Sequence, residues 1–351
     1  MSAPSILSAA VSDPKGPHVP VVSCVPSRNV LVVTLGGTIA MSKSSGDTGG
    51  VTPRLTGADL VAAVPGLDEA VSIALEDFRQ VPGASLTVDD IAELAERCHK
   101  AAASGTDGIV ITQGTDTLEE TAFLLDLLYQ ADAPVVLTGA MRNAAMPGAD
   151  GPANLLAAVR TAADPAARGL GALAVFADEI HAARHVRKIH STSTGAFASP
   201  DAGPIGHVIE GVPRLHFSVR RHRAVPLPLK AATVEIVPTV LGGSAAVLDG
   251  LEHRANGAVV AAFGVGHVPA TWVEPLERLA ARMPVVLASR TGAGYVLTST
   301  YAFPGSESDL LARGLISAGP LDPYKARLLL LAHLGASADQ AAIEAAFAER
   351  H

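Results

Sequence analysis

Three short segments of the chain bring together residue types that can do chemistry. The first is Val32-Val33-Thr34-Leu35-Gly36-Gly37-Thr38-Ile39-Ala40. An apolar, β-branched run leads straight into two glycines and a threonine. Ligands of open parallel sheets bind beyond the carboxyl ends of the strands, where such loops lie. Glycines let backbone amides approach a ligand closely, and these two place the Thr38 hydroxyl at the mouth. The following stretch, Met41 to Pro53, is rich in Gly, Ser and Thr, so it suits a mobile lid. A nucleotide-binding turn is the competing reading. However, Gly-Gly-Thr lacks the G-x-G-x-x-G spacing and opens a loop rather than a helix.

The second segment is Ile109-Val-Ile-Thr-Gln-Gly-Thr115-Asp116-Thr117-Leu-Glu-Glu120. Thr117 with Glu120 fits a capping box, which explains Thr117 structurally. Thr115 and Asp116 are not needed for that cap. They sit at the same sheet edge, beside the positive end of a helix. Two strand-end threonines, each following a glycine, are hard to explain by packing alone. The third segment, Val186-Arg187-Lys188-Ile189-His190-Ser191-Thr192-Ser193-Thr194, is polar, rich in hydroxyls and centred on a lysine. By itself it reads as a surface loop.

The elements that must position these residues follow from periodicity. Leu31 to Thr34, Gly108 to Thr112, Pro134 to Thr138 and Gly171 to Phe176 are short apolar runs of the kind buried on both faces of a sheet. Helical patterns lie between them, over Asp59 to Val64, Asp89 to Ala103, Leu118 to Tyr129 and Ala153 to Ala163. Strands alternating with helices predict parallel βαβ units. A basic, proline-containing stretch near residues 213–232 breaks the pattern and reads as a linker. Alternation then resumes: strand Val234 to Val237, helix Ala245 to His253, strand Gly257 to Phe263, helix Trp272 to Ala281, strand Pro284 to Ala288, and a helical arm from Pro323 to His351. The expected architecture is two doubly wound α/β domains. A larger N-terminal domain with a parallel sheet spans residues 29–215, and a smaller C-terminal domain spans 232–351. A linker covers 216–231 and a disordered lead-in covers 1–28.

Composition narrows the function classes. The chain has 351 residues, 48% of them hydrophobic, and a formal net charge of −8. That apolar fraction suits a folded core. The negative charge argues against nucleic acid or an anionic membrane as the main partner. No apolar run reaches the length of a membrane helix. Cys24 and Cys98 make neither a disulfide framework nor a zinc site. The twelve histidines, among them His185, His190, His207 and His267, show no metal-ligand spacing. They read as structural or solvent-facing, and no metal or organic cofactor is expected. The first residues resemble no secretory signal, so a cytoplasmic protein is expected.

Taken together, LGGTIA, ITQGTDTLEETAFLLD, PVVLTGAM followed by ADGPANL, and RKIHSTST resemble the successive landmarks of the bacterial-type L-asparaginase and glutaminase-asparaginase family. The tail Ser317-Ala-Gly-Pro-Leu-Asp-Pro-Tyr-Lys-Ala-Arg327 extends the resemblance to nearly the whole chain from Asn29. The resemblance implies an amidohydrolase that converts L-asparagine to L-aspartate and ammonia. It makes Thr38 the nucleophile and Thr115, Asp116 and Lys188 its supporting constellation. A threonine hydroxyl needs a base or a cation nearby. Lys188, held against Asp116, would take a proton relayed through Thr115 if burial lowers its pKa. Backbone amides near Thr115 would stabilise the oxyanion. Asp116, Gly37, Ser85 and, from a neighbouring subunit, Glu307 would bind the substrate. The resemblance also implies a homotetramer, a dimer of dimers.

Three departures stand out. The lid tyrosine that usually activates the nucleophile is missing, with Gly50 or Val51 near its place. The chain's four tyrosines are Tyr129, Tyr295, Tyr301 and Tyr324. The substrate-gripping Ser-Gln pair is reduced to Ser85 of Gly83-Ala84-Ser85. The neighbour's asparagine is absent from Gly264-Val265-Gly266-His267-Val268-Pro269. If Glu307 enters the partner's site, Tyr301 travels with it and is a candidate activator; the competing reading packs Tyr301 at an interface. Other readings are an amidase for another small amide such as glutamine, a tRNA-linked amidotransferase subunit, and a catalytically weak amino-acid-binding or regulatory relative. The amidotransferase subunit would need an additional N-terminal domain.

Overall fold

The computed structural model describes residues 28–37, 39, 41–42, 52–53, 56–64, 66–67 and 71–350. The expected lead-in over residues 1–27 lies outside the described residues, and Arg28 already belongs to the first strand.

The chain begins β1 (Arg28–Thr34), β2 (Met41–Ser42), β3 (Thr52–Pro53), α1 (Gly57–Ala62), β4 (Val71–Asp77), α2 (Val88–Ala103), β5 (Gly108–Thr112) and α3 (Leu118–Leu128). It continues β6 (Val135–Thr138), α4 (Gly151–Ala163), β7 (Ala172–Phe176), β8 (Glu179–Ala182), β9 (Arg187–Lys188), β10 (Phe197–Ala198), β11 (Gly206–Ile209) and β12 (Val212–Leu215). The C-terminal part holds β13 (Val234–Pro238), β14 (Gly257–Ala262), α5 (Val273–Ala280), β15 (Val285–Ser289), α6 (Glu307–Ala312), β16 (Ile316–Ser317), α7 (Pro323–Gly335) and α8 (Gln340–Ala348).

The larger sheet has the order β12-β11-β8-β7-β6-β5-β1-β4. Its centre, from β4 to β7, is parallel. Every residue of β5, β6 and β7 is buried, because helices cover both faces. On one face α1 and α4 bring Leu60, Leu155 and Val159 onto Val32, Val110 and Val136. On the other, α2 and α3 bring Leu94, Leu124 and Leu125 onto Val33, Ile109 and Ile111. That second core also takes in Leu329 of α7, Val259 and Val286, so it joins the two sheets. The smaller sheet, β13-β14-β15-β16, is wholly parallel. Trp272 and Leu276 close its far face over Val260 and Leu287. The fold is therefore the expected pair of α/β units.

Several elements differ from expectation. The large sheet ends in antiparallel strands β8, β11 and β12. The β7–β8 turn is made by Ala177 and Asp178, both at positive φ (48° and 63°). That is the backbone of a two-residue hairpin, here without the glycine that usually signals one. The helix expected over Ala245 to His253 is two 3₁₀ turns, Ala245–Leu248 and Leu251–His253, parted by Gly250 at φ 69°. The C-terminal arm is two helices, because Ser337 at φ 61° breaks it. The capping box at Thr117 does not form. Its hydroxyl makes no cap bond to α3 and instead donates to Gly83 O at 2.9 Å.

Candidate active site

The site is built where β1 and β5 end side by side. Their register pairs Thr34 with Thr112, and Leu35 N donates to Thr112 O. Beyond that point both chains turn on glycine. Gly36 and Gly37 take φ of 93° and 86°, a region that only glycine enters freely. A Cβ on Gly37 would overlap the Gly114 backbone, and one on Gly83 would lie 2.9 Å from Gly114 O. Gly37, Gly83 and Gly114 thus press main chain against main chain. Gln113 and Thr117 lock this junction from below: Gln113 Nε2 donates to the Thr117 hydroxyl, which donates to Gly83 O. Gln113 Oε1 and Thr112 Oγ1 are buried and find no hydrogen-bond partner among the described residues.

On this floor stands a polar trio. Lys188 Nζ donates to Thr115 Oγ1 at 2.9 Å and to Asp116 Oδ1 at 3.2 Å. Thr115 is 6% exposed. The side chains of Lys188 and Asp116 are 17% and 65% exposed. The trio therefore grades from a buried hydroxyl, through a half-sheltered ammonium, to an open carboxylate. The surface-loop reading fits Ile189 to Ser193, which are exposed, but not Lys188, which pairs with Phe197 in a two-stranded ladder.

Glu119, which the sequence reading missed, brings β9 to this place. It lies in the first turn of α3, and its carboxylate accepts from the Lys188 backbone N–H at 2.8 Å. Burial raises the Glu119 pKa, against the Lys325 charge and the Lys188 amide, which lower it. Arg187, next along, donates to Gly292 O of the C-terminal unit.

Of the other expected site residues, Gly37 lies on Gly114, within the cluster. Ser85 closes the 3₁₀ turn Gly83–Ser85 and is exposed. Thr38, Gly50 and Val51 lie outside the described residues. Of the lid, β2 and β3 pair through Met41 with Pro53 and Ser42 with Thr52.

Glu307 lies in the C-terminal unit and is fully buried. It accepts from the amides of Thr300 (3.0 Å) and Tyr301 (2.8 Å) and contacts His267 Nε2 at 3.1 Å. Burial pushes its pKa up, but the amides of Tyr301, Glu307 itself and Thr300, together with His267, outweigh that and hold it below the usual value. Tyr301 packs edge-on against His267, centroids 4.9 Å apart. Among the described residues no hydrogen bond joins Glu307 or Tyr301 to Thr115, Asp116 or Lys188 of the same chain.

Comparison with known proteins places the whole chain in a family. The family described as "Asparaginase, N-terminal" matches residues 29–221, and the "Glutaminase/Asparaginase C-terminal domain" matches 233–347. The chain belongs to the asparaginase family. It is 39% identical to the "Probable L-asparaginase" of Deinococcus radiodurans, over 91% of this chain and 96% of that protein. It is 33% identical to the "Glutaminase-asparaginase" of Pseudomonas aeruginosa, over 92% and 90% of the two. The solved structure of the "Probable Cytoplasmic L-asparaginase" of Campylobacter jejuni superposes with a TM-score of 0.81 at 32% identity, covering 92% of this chain and 99% of that one. This asparaginase relative has no described helix long and apolar enough to cross a membrane.

Proposed function

We propose that this member of the family hydrolyses L-asparagine to L-aspartate and ammonia in the cytoplasm, with Thr38 as nucleophile. The observation that best supports this is Lys188 Nζ bridging Thr115 Oγ1 and Asp116 Oδ1, beside the Gly36-Gly37 turn that leads to Thr38. The Thr38 hydroxyl attacks the carboxamide carbon. Its proton passes through Thr115 to the Lys188 amine. Backbone N–H groups around Thr115 face the oxyanion. The C–N bond then breaks, and the same path returns the proton to the leaving amine, which departs as ammonia. Water hydrolyses the resulting ester and frees Thr38. Asp116 Oδ2 accepts no hydrogen bond among the described residues, so it is free to hold the substrate's α-ammonium, with Gly37 and Ser85 beside it. The test is ammonia release on mixing with L-asparagine, which Thr38→Ala abolishes. Absence of release from the parent chain refutes the proposal and favours a binding or regulatory role.

Glutamine is the second substrate reading, motivated by the glutaminase-asparaginase name of one relative; parallel assays with both amides decide it. The reading also includes a homotetramer in which Tyr301 of one subunit completes a neighbour's site, while Glu307, fully buried and accepting from the Tyr301 amide, holds that loop in place from behind. Tyr301 is 43% exposed, so its hydroxyl is open to a partner. Tyr301→Phe then lowers turnover far more than it weakens substrate binding. Unchanged turnover leaves Tyr301 a packing residue. Sedimentation reads the assembly state.

A further inference from the structure

A cluster of sheltered charge outside the active site lies where the two units meet. A cavity of about 230 Å³ opens between α3, the turn that leads from β8 to β9, the linker and the end of α8. Its charged lining is Arg184, Arg220 and Arg350 against Asp126 and Glu349, with His185 and His222 beside them. Three guanidinium groups face two carboxylates, so one positive charge is left over. The histidines do not add to it. Burial, and next the neighbouring guanidinium groups, lower both to about 4, so both are neutral near pH 7.

The carboxylates do not spend the arginines' donors. Arg184 Nη2 stands 3.6 Å from Asp126 Oδ2, beyond hydrogen-bond length. It is buried and has no hydrogen-bond partner among the described residues. Glu349 lies 3.9 Å from His222 Nδ1. Arg350 Nη1 donates to Ala346 O, in the last turn of α8. A guanidinium carries five N–H donors in a planar fork. Arg184 and Arg350 therefore bring unspent donors to a sheltered cavity. Burial is the largest influence on both and lowers both pKa values, Arg350 to about 10. Arg184 has an ionic partner in Asp126, but its guanidinium donors, like most of those of Arg350, stay unspent, and unspent donors of a sheltered cation are costly. The fork geometry matches the oxygens of a carboxylate or a phosphate.

We propose that this cavity is a second binding site, separate from the Thr115–Asp116–Lys188 cluster, for a small oxyanion. Arg184 and Arg350 hold the anion, and Arg220 stands at the mouth. Its volume lies below the range of drug-sized pockets, which suits inorganic phosphate or a short dicarboxylate. The ligand bridges both units, since Arg184 precedes β9 and Arg350 follows α8. It therefore stabilises their docking, four residues upstream of Lys188.

The test is calorimetric titration of the full chain with inorganic phosphate and, separately, malonate, at fixed ionic strength, alongside thermal unfolding. Saturable binding is expected, with an unfolding midpoint that rises with ligand and levels off. Removing charge from both partners of the inner pair, Arg184→Gln with Asp126→Asn, leaves no lone buried ion and weakens binding by about tenfold or more. Arg220→Gln, at an exposed position where folding is safe, weakens it by roughly two- to fivefold. Binding of phosphate alone or malonate alone names the source, and either supports the site. No saturable binding at millimolar ligand overturns the proposal. So does binding that both variants leave unchanged, since the anion then sits elsewhere.

Discussion

Replacing Lys188 by methionine separates what the trio contributes to catalysis from what it contributes to folding. Methionine keeps most of the aliphatic length and removes the ammonium. Two hydrogen bonds disappear. The bond to buried Thr115, 2.9 Å long, contributes about 0.5–1.5 kcal/mol net. The bond to Asp116, 3.2 Å long, ends on a side chain that is 65% exposed, so water screens it to about 0–1 kcal/mol. Methionine also avoids desolvating an ammonium, which offsets part of the loss. The expected destabilisation is about 0–2 kcal/mol, a fall of at most a few degrees in the unfolding midpoint for a chain of this size. Turnover is a different matter. Loss of a positioned proton acceptor costs on the order of 10²–10⁴ in rate. Steady-state ammonia release and calorimetry on one preparation measure both. Lys188→Arg refines the test, because arginine keeps the charge but cannot take up a proton near neutral pH. The reasoning fails if Lys188→Met retains turnover within about tenfold of the parent. It also fails if Lys188→Arg restores turnover, or if activity is lost only in step with unfolding.

Two further predictions follow from the same geometry. Gly83→Ala puts a Cβ 2.9 Å from Gly114 O, so the Gly114 turn must shift. A stability loss of about 1–3 kcal/mol is expected in denaturant titration, with a steeper loss of turnover because Thr115 follows Gly114 directly. Normal kinetics in a stable Gly83→Ala variant would show that the junction does not position Thr115. The second concerns acid. His185 and His222, lowered from 6.5 to about 4, resist protonation in the fold. Their contribution is complete above pH 6.5 and is lost as pH falls toward about 4, because the unfolded chain takes the protons first. Burial raises Glu119, Glu120 and Asp126 and gives them the opposite sign. The histidine effect is therefore read as the parent minus His185→Gln, and a pH-independent difference in urea midpoint counts against it.

The central strands were legible in the sequence because burial on both faces leaves continuous apolar runs, as in Gly108 to Thr112 and Val135 to Thr138. The antiparallel edge was not, since Ala177-Asp178 adopts a hairpin backbone without the residue types that announce one. Within the site, Thr115 and Asp116 stood out because a strand end and a glycine framed them. Lys188 reads as surface by local pattern, and only the family resemblance singled it out; what holds it in place is Glu119, distant in sequence, which accepts from its amide. No local pattern encodes a contact between residues 69 positions apart. Thr117 misled for a related reason. One hydroxyl can satisfy a helix end or a neighbouring carbonyl, and only the folded position of Gly83 decides between them.

The junction of Gly37, Gly83 and Gly114 bears on how such an enzyme can be altered. It presses peptide groups against peptide groups, so no side chain there can be exchanged to reshape the floor beneath Thr115, Asp116 and Lys188. With the function proposed above, laboratory selection for a new amide should find its useful changes at the rim, around Ser85 and Asp116. Libraries that randomise the three glycines should return almost only glycine.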